Sequence, residues 1–183
     1  MTVSEKTKRA LATALKELMG EKSFDKISIG EICEKCGMNR KSFYYHFKDK
    51  YDLVNWIFDT EFSAIADEKD YRDSWESWDV LQDISQFLFD NRAFYRKALQ
   101  IKGQNSFSEH FRELLLPAIS AWLEDILKNE RIEEFQSLFF ADAFIMAFQR
   151  WIIEYTTMSP EEFLRQIKLC MKCLAVSFEM REE

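Results

Sequence analysis

Glycine and proline are scarce in this chain: four glycines and two prolines in 183 residues, with no glycine between Gly37 and Gly103. The tight turns of a many-stranded sheet depend on such residues, so the shortage argues against all-β architectures and for an all-α chain. Histidine is rarer still, with His46 and His110 alone. Neither lies in a serine or cysteine nucleophile pattern, and no glycine-rich phosphate loop occurs, so neither an enzyme nor a bound cofactor is expected. Long apolar runs are missing too. The most apolar stretch, SLFFADAFIMAFQRWIIEY, is interrupted by Asp142 and Arg150 short of a membrane span, and the amino terminus shows no signal-peptide pattern. The expectation is a cytoplasmic chain with no membrane partner.

What is present is apolar and aromatic residues, 47% and 15% of the chain, enough for a substantial core in one domain or in a small domain docked on a larger one. The net charge of −7 conceals an asymmetry. Lys and Arg outnumber Asp and Glu by 11 to 7 over residues 1–50 and are outnumbered 14 to 25 over residues 51–183. A basic head on an acidic body suits a polyanion gripped through one end, unless the charges make only an ordinary mixed surface. The basic residues concentrate in CGMNRKSFYYHFKDKYDL, where Arg40, Lys41, Lys48 and Lys50 surround Phe43, Tyr44 and Tyr45.

Cap signals divide the head into helices. Thr2 with Glu5 forms a capping-box pattern ahead of Leu11, Ala14, Leu15 and Leu18, and Gly20 supplies a stop. Ser28 with Glu31 repeats the pattern before a short apolar stripe of Ile29, Ile32, Cys33 and Cys36 that ends at Gly37. Asn39 caps a third helix over Arg40 to Phe47, and Asp49 a fourth. Two short helices joined by a glycine-containing turn and packed on a first helix describe a helix-turn-helix, placed in a domain of residues 1–50. Residues 51–183 read as a helical body with patterns near 76–90, 92–100, 106–128, 131–156 and 160–179, about nine helices in total. Pro117 is expected to kink or break the third of these, and Ser159-Pro160-Glu161-Glu162 to start the last.

A helix-turn-helix lays its second helix in the DNA major groove with its leading residues toward the bases. Double-stranded DNA is therefore the expected partner. Asn39, Arg40, Lys41 and Ser42 occupy that leading turn; Arg40 suits guanine O6/N7, and Lys41 suits a guanine or a phosphate. Tyr44 and Tyr45 can reach backbone or base edges, and Lys50 adds charge nearby. Phe43 and Phe47, four residues apart, fall on the opposite face with the small core of Phe24, Ile27, Ile32, Met38 and Leu53.

These residues carry a resemblance. SFDKISIGEICEKCGMNRKSFYYHFKDKYDLV, Ser23 to Val54, resembles the signature of tetracycline-repressor-like (TetR) transcriptional regulators: an apolar second helix, a glycine and an apolar residue in the turn, an aromatic-Tyr-x-His-Phe core, then Lys-x-Lys and a leucine. The resemblance implies base or phosphate contacts from Arg40, Lys41 and Tyr44, and phosphate contacts from Ser28, Ser42, Tyr45 and Lys50. His46 matches the family histidine. The DKYDLVNWIF run and the short aromatic body are similar to the subgroup of dihydroxyacetone-kinase operon regulators. A repressor acting as a homodimer on a pseudo-palindromic operator is implied, with an activator signalled by a partner protein as the alternative and a helical adaptor without DNA affinity as a third reading.

In the body, two helices are more apolar than a surface helix needs. On the penultimate one, Ile132, Phe135, Phe139, Met146 and Ile153 form an arc expected to face the body, while Leu138, Ile145, Phe148 and Ile152 form a second. The second arc, with Phe163, Ile167 and Leu174 on the last helix, is the expected homodimer interface, with a thick monomeric core as the other reading. Trp56, Trp75, Trp78, Phe87, Phe94 and Tyr95 are candidates to line a pocket for a small-molecule effector, with plain core as their other reading. Cys33/Cys36 and Cys170/Cys173 are two Cys-x-x-Cys pairs about 130 residues apart, each inside a helical pattern. Their spacing admits a zinc site, but burial accounts for the first pair, and no metal is expected.

Overall fold

The computed structural model describes residues 2–68, 78–103, 106–126, 133–155 and 157–179. Among these the ordered elements are helical: α1 (Val3–Glu21), α2 (Ile29–Lys35), α3 (Arg40–His46), α4 (Lys50–Glu68), α5 (Trp78–Asp90), α6 (Arg92–Ala98), α7 (Phe107–Ile126), α8 (Glu134–Ile153) and α9 (Pro160–Glu179), with a short 3₁₀ turn at Phe24–Lys26. No described helix is long and apolar enough to cross a membrane. The chain forms two compact units, Met1–Glu68 with Arg92–Phe111, and Lys69–Asn91 with Arg112–Glu183. The first unit reaches past the boundary expected at residue 50, because the apolar face of α4 (Leu53, Ile57, Phe58) is buried in the same unit.

Helix starts in the first unit follow the side-chain caps. The Glu5 amide donates to Thr2 Oγ1 at 3.2 Å. At α2 the Glu31 amide donates to Ser28 Oγ at 3.2 Å, and the Ser28 amide donates back to Glu31 Oε2 at 2.9 Å. At α3 the Ser42 amide donates to Asn39 Oδ1 at 2.9 Å. Asp49 Oδ1 accepts from the amides of Tyr51 and Asp52, each at 2.9 Å, to open α4. Each such cap contributes about 0.5–2 kcal/mol, which matters most for α2 and α3, too short to be stable alone. Between them Gly37 takes φ +67°, a conformation that penalises a Cβ, and so lets the chain reverse. Leu11, Leu15, Phe24, Ile27, Ile32, Phe43, Phe47 and Leu53 fill the resulting core. Met38, expected with them, is half-buried.

A second aromatic cluster in this unit joins α4 to α6 and the opening of α7. Phe58 packs on Tyr95, Phe107 and Phe111 with ring centroids 5.9, 5.2 and 5.5 Å away. Lys97 donates to the carbonyls of Met19 and Gly20 at the end of α1, supplying the cation that the last turn of that helix lacks. Lys16 pairs with Glu61, and His110 Nε2 lies 2.6 Å from Asp59 Oδ1.

In the second unit α5 packs on α9. Trp151 stacks on Phe163 with centroids 4.4 Å apart and planes 4° from parallel, and Phe148 meets the same ring at 4.9 Å. The Trp151 indole donates to the Met158 carbonyl at 3.0 Å, and Ser159 Oγ accepts from the Glu162 amide at 3.2 Å to start α9 behind Pro160. The break allowed for at Pro117 does not occur: α7 runs through it as one helix. Proline removes one backbone donor, and the turns on either side hold, with Ser120 Oγ donating to the Leu116 carbonyl at 2.9 Å.

Candidate nucleic-acid interface

The geometry of α3 sorts its side chains into two sets. Phe43 and Phe47 are buried, 5.8 Å apart between ring centroids, and anchor the helix on the core. Arg40, Lys41, Tyr44 and Tyr45 are exposed, the two tyrosines at 59% and 82%. Large aromatic rings standing in solvent beside two cations, on a helix whose other face is locked, present base- and phosphate-reading chemistry on a rigid support. The rings are braced from below: Tyr44 meets Phe43 edge-on at 5.6 Å and Tyr45 meets His46 at 4.9 Å. Lys48, exposed at the end of the helix, extends the basic edge.

Several of the expected contact groups have partners within the chain itself. Lys50 does not project from this surface. Its ammonium donates to the carbonyls of Phe24 (2.8 Å), Ile27 (2.9 Å) and Asp25 (3.4 Å) and lies 4.3 Å from the centroid of the Phe24 ring. All three of its donors are thus taken up in closing the 3₁₀ turn, and burial pulls its pKa below the ordinary lysine range. In the free chain Lys50, expected to contact a phosphate, holds the 3₁₀ turn. The Ser28 hydroxyl is likewise engaged, donating to Glu31 Oε2 at 2.9 Å, and the Ser42 hydroxyl bonds Asn39 Oδ1 at 3.2 Å. Asn39, Ser28 and Ser42 shape the helix starts, and the exposed cations and tyrosines carry the outward chemistry. The side chain of Lys22 and the cap at Ser28 hold Glu31 well below the usual carboxylate range, at about 2.

Arg40 leans in an unforeseen direction. A Cβ placed on Gly30, the second residue of α2, would lie 2.7 Å from Arg40 Nη2, 3.3 Å from Nε and 3.4 Å from Cζ. The guanidinium occupies the space that a side chain at position 30 would fill. The sequence signal was a glycine inside a seven-residue helix, where no turn requires one.

The other candidate sites change more. Of the pocket residues, Trp56, Phe94 and Tyr95 belong to the first unit, Trp78 and Phe87 to the second, and Trp75 lies outside the described residues. Trp56 packs edge-on against Phe47 at 5.6 Å. Tyr95 is fully buried against Phe94, with its hydroxyl 3.4 Å from Glu61 Oε2; burial pushes its phenol pKa up. Phe87 is buried in the core of its own unit, and Lys168 Nζ sits 4.6 Å from the Trp78 ring centroid.

The two arcs of α8 are buried the other way round from the expectation. Ile145, Phe148 and Ile152, with Phe163 of α9, are buried inside the chain's own core, where a second copy cannot reach them. Phe135, Phe139 and Met146 of the arc expected to face inward are exposed at 77%, 58% and 57%. Leu138, Ile153 and Ile167 are half-buried; Ile132 and the Leu174 side chain lie outside the described residues. Of the cysteines, Cys33 is buried and Cys36 Sγ lies 3.2 Å from the Ile32 carbonyl, with burial raising both thiol pKa values. Cys170 is exposed on α9.

Comparison with known proteins gives this geometry a family. Residues 11–57 match the model of bacterial regulatory proteins of the tetR family, and residues 75–173 match a transcriptional regulator C-terminal region. The chain is 32% identical over 106 residues to the HTH-type dhaKLM operon transcriptional activator DhaS of Lactococcus lactis, covering 57% of this chain and 54% of that one. It is 31% identical over 122 residues to an HTH-type transcriptional regulator of Staphylococcus aureus, covering 62% and 63%. The match thus spans between half and two thirds of the length of these curated relatives. Among solved structures, the dihydroxyacetone kinase operon activator DhaS superposes with a TM-score of 0.58 at 19% identity, over 93% of this chain and 97% of that one. NalD, the secondary repressor of the MexAB-OprM multidrug efflux pump in Pseudomonas aeruginosa, superposes at 0.66 and 18% identity, over 93% and 96%. At both ends of its sequence and in its helical fold, the chain belongs to the tetR family of bacterial regulatory proteins.

Proposed function

We propose that this chain is a cytoplasmic, sequence-specific DNA-binding transcriptional regulator that works as a homodimer on a pseudo-palindromic operator and acts by binding, with no catalytic step. One observation carries the reading: α3 exposes Arg40, Lys41, Tyr44 and Tyr45 on one side while Phe43 and Phe47 fix the other. Two copies of α3 would enter successive major grooves, about 34–36 Å apart. The exposed Phe135–Phe139–Met146 arc of α8 supports pairing through that face, since an apolar patch of this kind is costly to leave in water.

An effector or partner bound in the second unit would change the separation of the two heads. Coupling of about 1–3 kcal/mol, roughly 5–150-fold in affinity, makes a usable switch. The sign of regulation follows from operator position: a site over the promoter represses, and one upstream can recruit polymerase. The resemblance to a protein named as an activator favours testing both. Selection of bound duplexes from a random DNA pool tests the proposal. An enriched inverted repeat is the expected result; no enrichment by a protein that is folded and dimeric would remove it and favour the adaptor reading.

A further inference from the structure

We infer that Gly30 is a specificity-determining residue: by lacking a side chain it seats the Arg40 guanidinium over the start of α2, fixing the group that reads a base before DNA arrives. This rests on the proposed role of Arg40 in base reading. The geometry is the 2.7, 3.3 and 3.4 Å approach of Nη2, Nε and Cζ to the position a residue-30 Cβ would take. Three atoms of one rigid fork close on a single point, so any side chain at position 30 moves the whole fork and not merely its tip.

Arg40 has no carboxylate partner among the described residues that would hold it there instead. Around it, Glu31 is committed to Lys22 and the Ser28 cap. The seat is therefore made by shape. Room at position 30 admits a guanidinium pose over α2 that a side chain there would exclude, and a bidentate contact to guanine requires the fork to arrive in one orientation. Gly30 otherwise has no evident use. It lies in a regular helix without positive φ, where glycine is a poorer helix former than alanine. The atoms a methyl would meet belong to a flexible side chain and not to backbone, so the fold has room to accept it.

The test compares wild type with Gly30→Ala, Arg40→Ala and the double variant on the enriched operator and its single-base-pair variants. Gly30→Ala should melt at or above the wild-type temperature and keep its salt dependence, yet lose about 2–10-fold of the preference at the same base pair that Arg40→Ala flattens. In the Arg40→Ala background it should change nothing. In the free protein, 15N relaxation of the Arg40 Nε–Hε group should report greater mobility after Gly30→Ala. Arg40→Ala leaving every base preference intact would remove the base-reading role itself. An Arg40→Ala effect at one base pair with no Gly30→Ala effect there, or an equal Gly30→Ala effect in the Arg40→Ala background, or unchanged Arg40 mobility, would overturn the inference alone.

Discussion

Removing the Lys50 ammonium separates two roles that the sequence leaves entangled. Lys50→Met keeps an apolar stem against Phe24 and deletes the charge that closes the 3₁₀ turn. Two hydrogen bonds below 3 Å from a charged donor are each in the class of about 1.5–3 kcal/mol. The ammonium is only partly buried, and its desolvation offsets part of that gain. A net loss of about 1–3 kcal/mol is expected. For a chain of this size each kcal/mol moves Tm by about 2–4 °C, so thermal melting should fall by about 2–12 °C. The salt slope of DNA binding, measured by fluorescence anisotropy across a range of KCl, should stay at the wild-type value. A phosphate contact would do the reverse, leaving Tm alone and lowering the slope by about one unit. That outcome would refute the structural assignment of Lys50.

Three further outcomes follow from named contacts. Glu31 has its pKa depressed from 4.5 to about 2 by Lys22 and the Ser28 cap, so the stability it supplies is full above pH 4.5 and lost as pH falls toward 2. Glu31→Gln should lower Tm at pH 7, and its deficit against wild type should vanish near pH 2; a deficit constant across that window would contradict the linkage. Phe135→Glu with Phe139→Glu should give monomers in sedimentation at micromolar concentration and cost about tenfold or more on the inverted repeat, with helical content unchanged because both rings are exposed within one chain, and with melting temperature lowered only by the loss of the partner. A dimer that survives places the interface elsewhere. Tyr95→Ala should destabilise by about 3–5 kcal/mol in urea unfolding, as for other fully buried aromatic truncations; a loss under about 1 kcal/mol would mean the aromatic cluster is loosely packed.

Local chemistry was the legible part of this protein. Ser28, Asn39, Asp49 and Ser159-Pro160 announce helix starts because a cap is satisfied within three residues, and the structure makes those bonds. The buried-versus-exposed alternation on α3 was readable for the same reason: Phe43 and Phe47 share a face by helical period alone. Tertiary choices were not readable. Lys50 reaches carbonyls 23–26 positions away in sequence, a distance at which a lysine in a basic cluster looks like any other. On α8 both arcs are apolar, so periodicity cannot say which one the Trp151–Phe163 stack draws inward. Residue type alone groups the pocket aromatics and carries no information on the two units among which they are divided. Pro117 carries a local cost that the sequence shows, while the helix that runs through it buries Leu115 and Ile119 on either side.

Sequence reading by the exposed face of α3 can be measured directly. Affinities of wild type and Arg40→Ala should be measured by titration against the enriched inverted repeat and every single-base-pair variant of one half-site. Arg40→Ala should lose about 5–150-fold on the parent sequence, with the change in preference confined to one base pair, where the variant protein no longer distinguishes the four bases. An equal loss on every sequence would assign Arg40 to the phosphate backbone and contradict base reading from this helix.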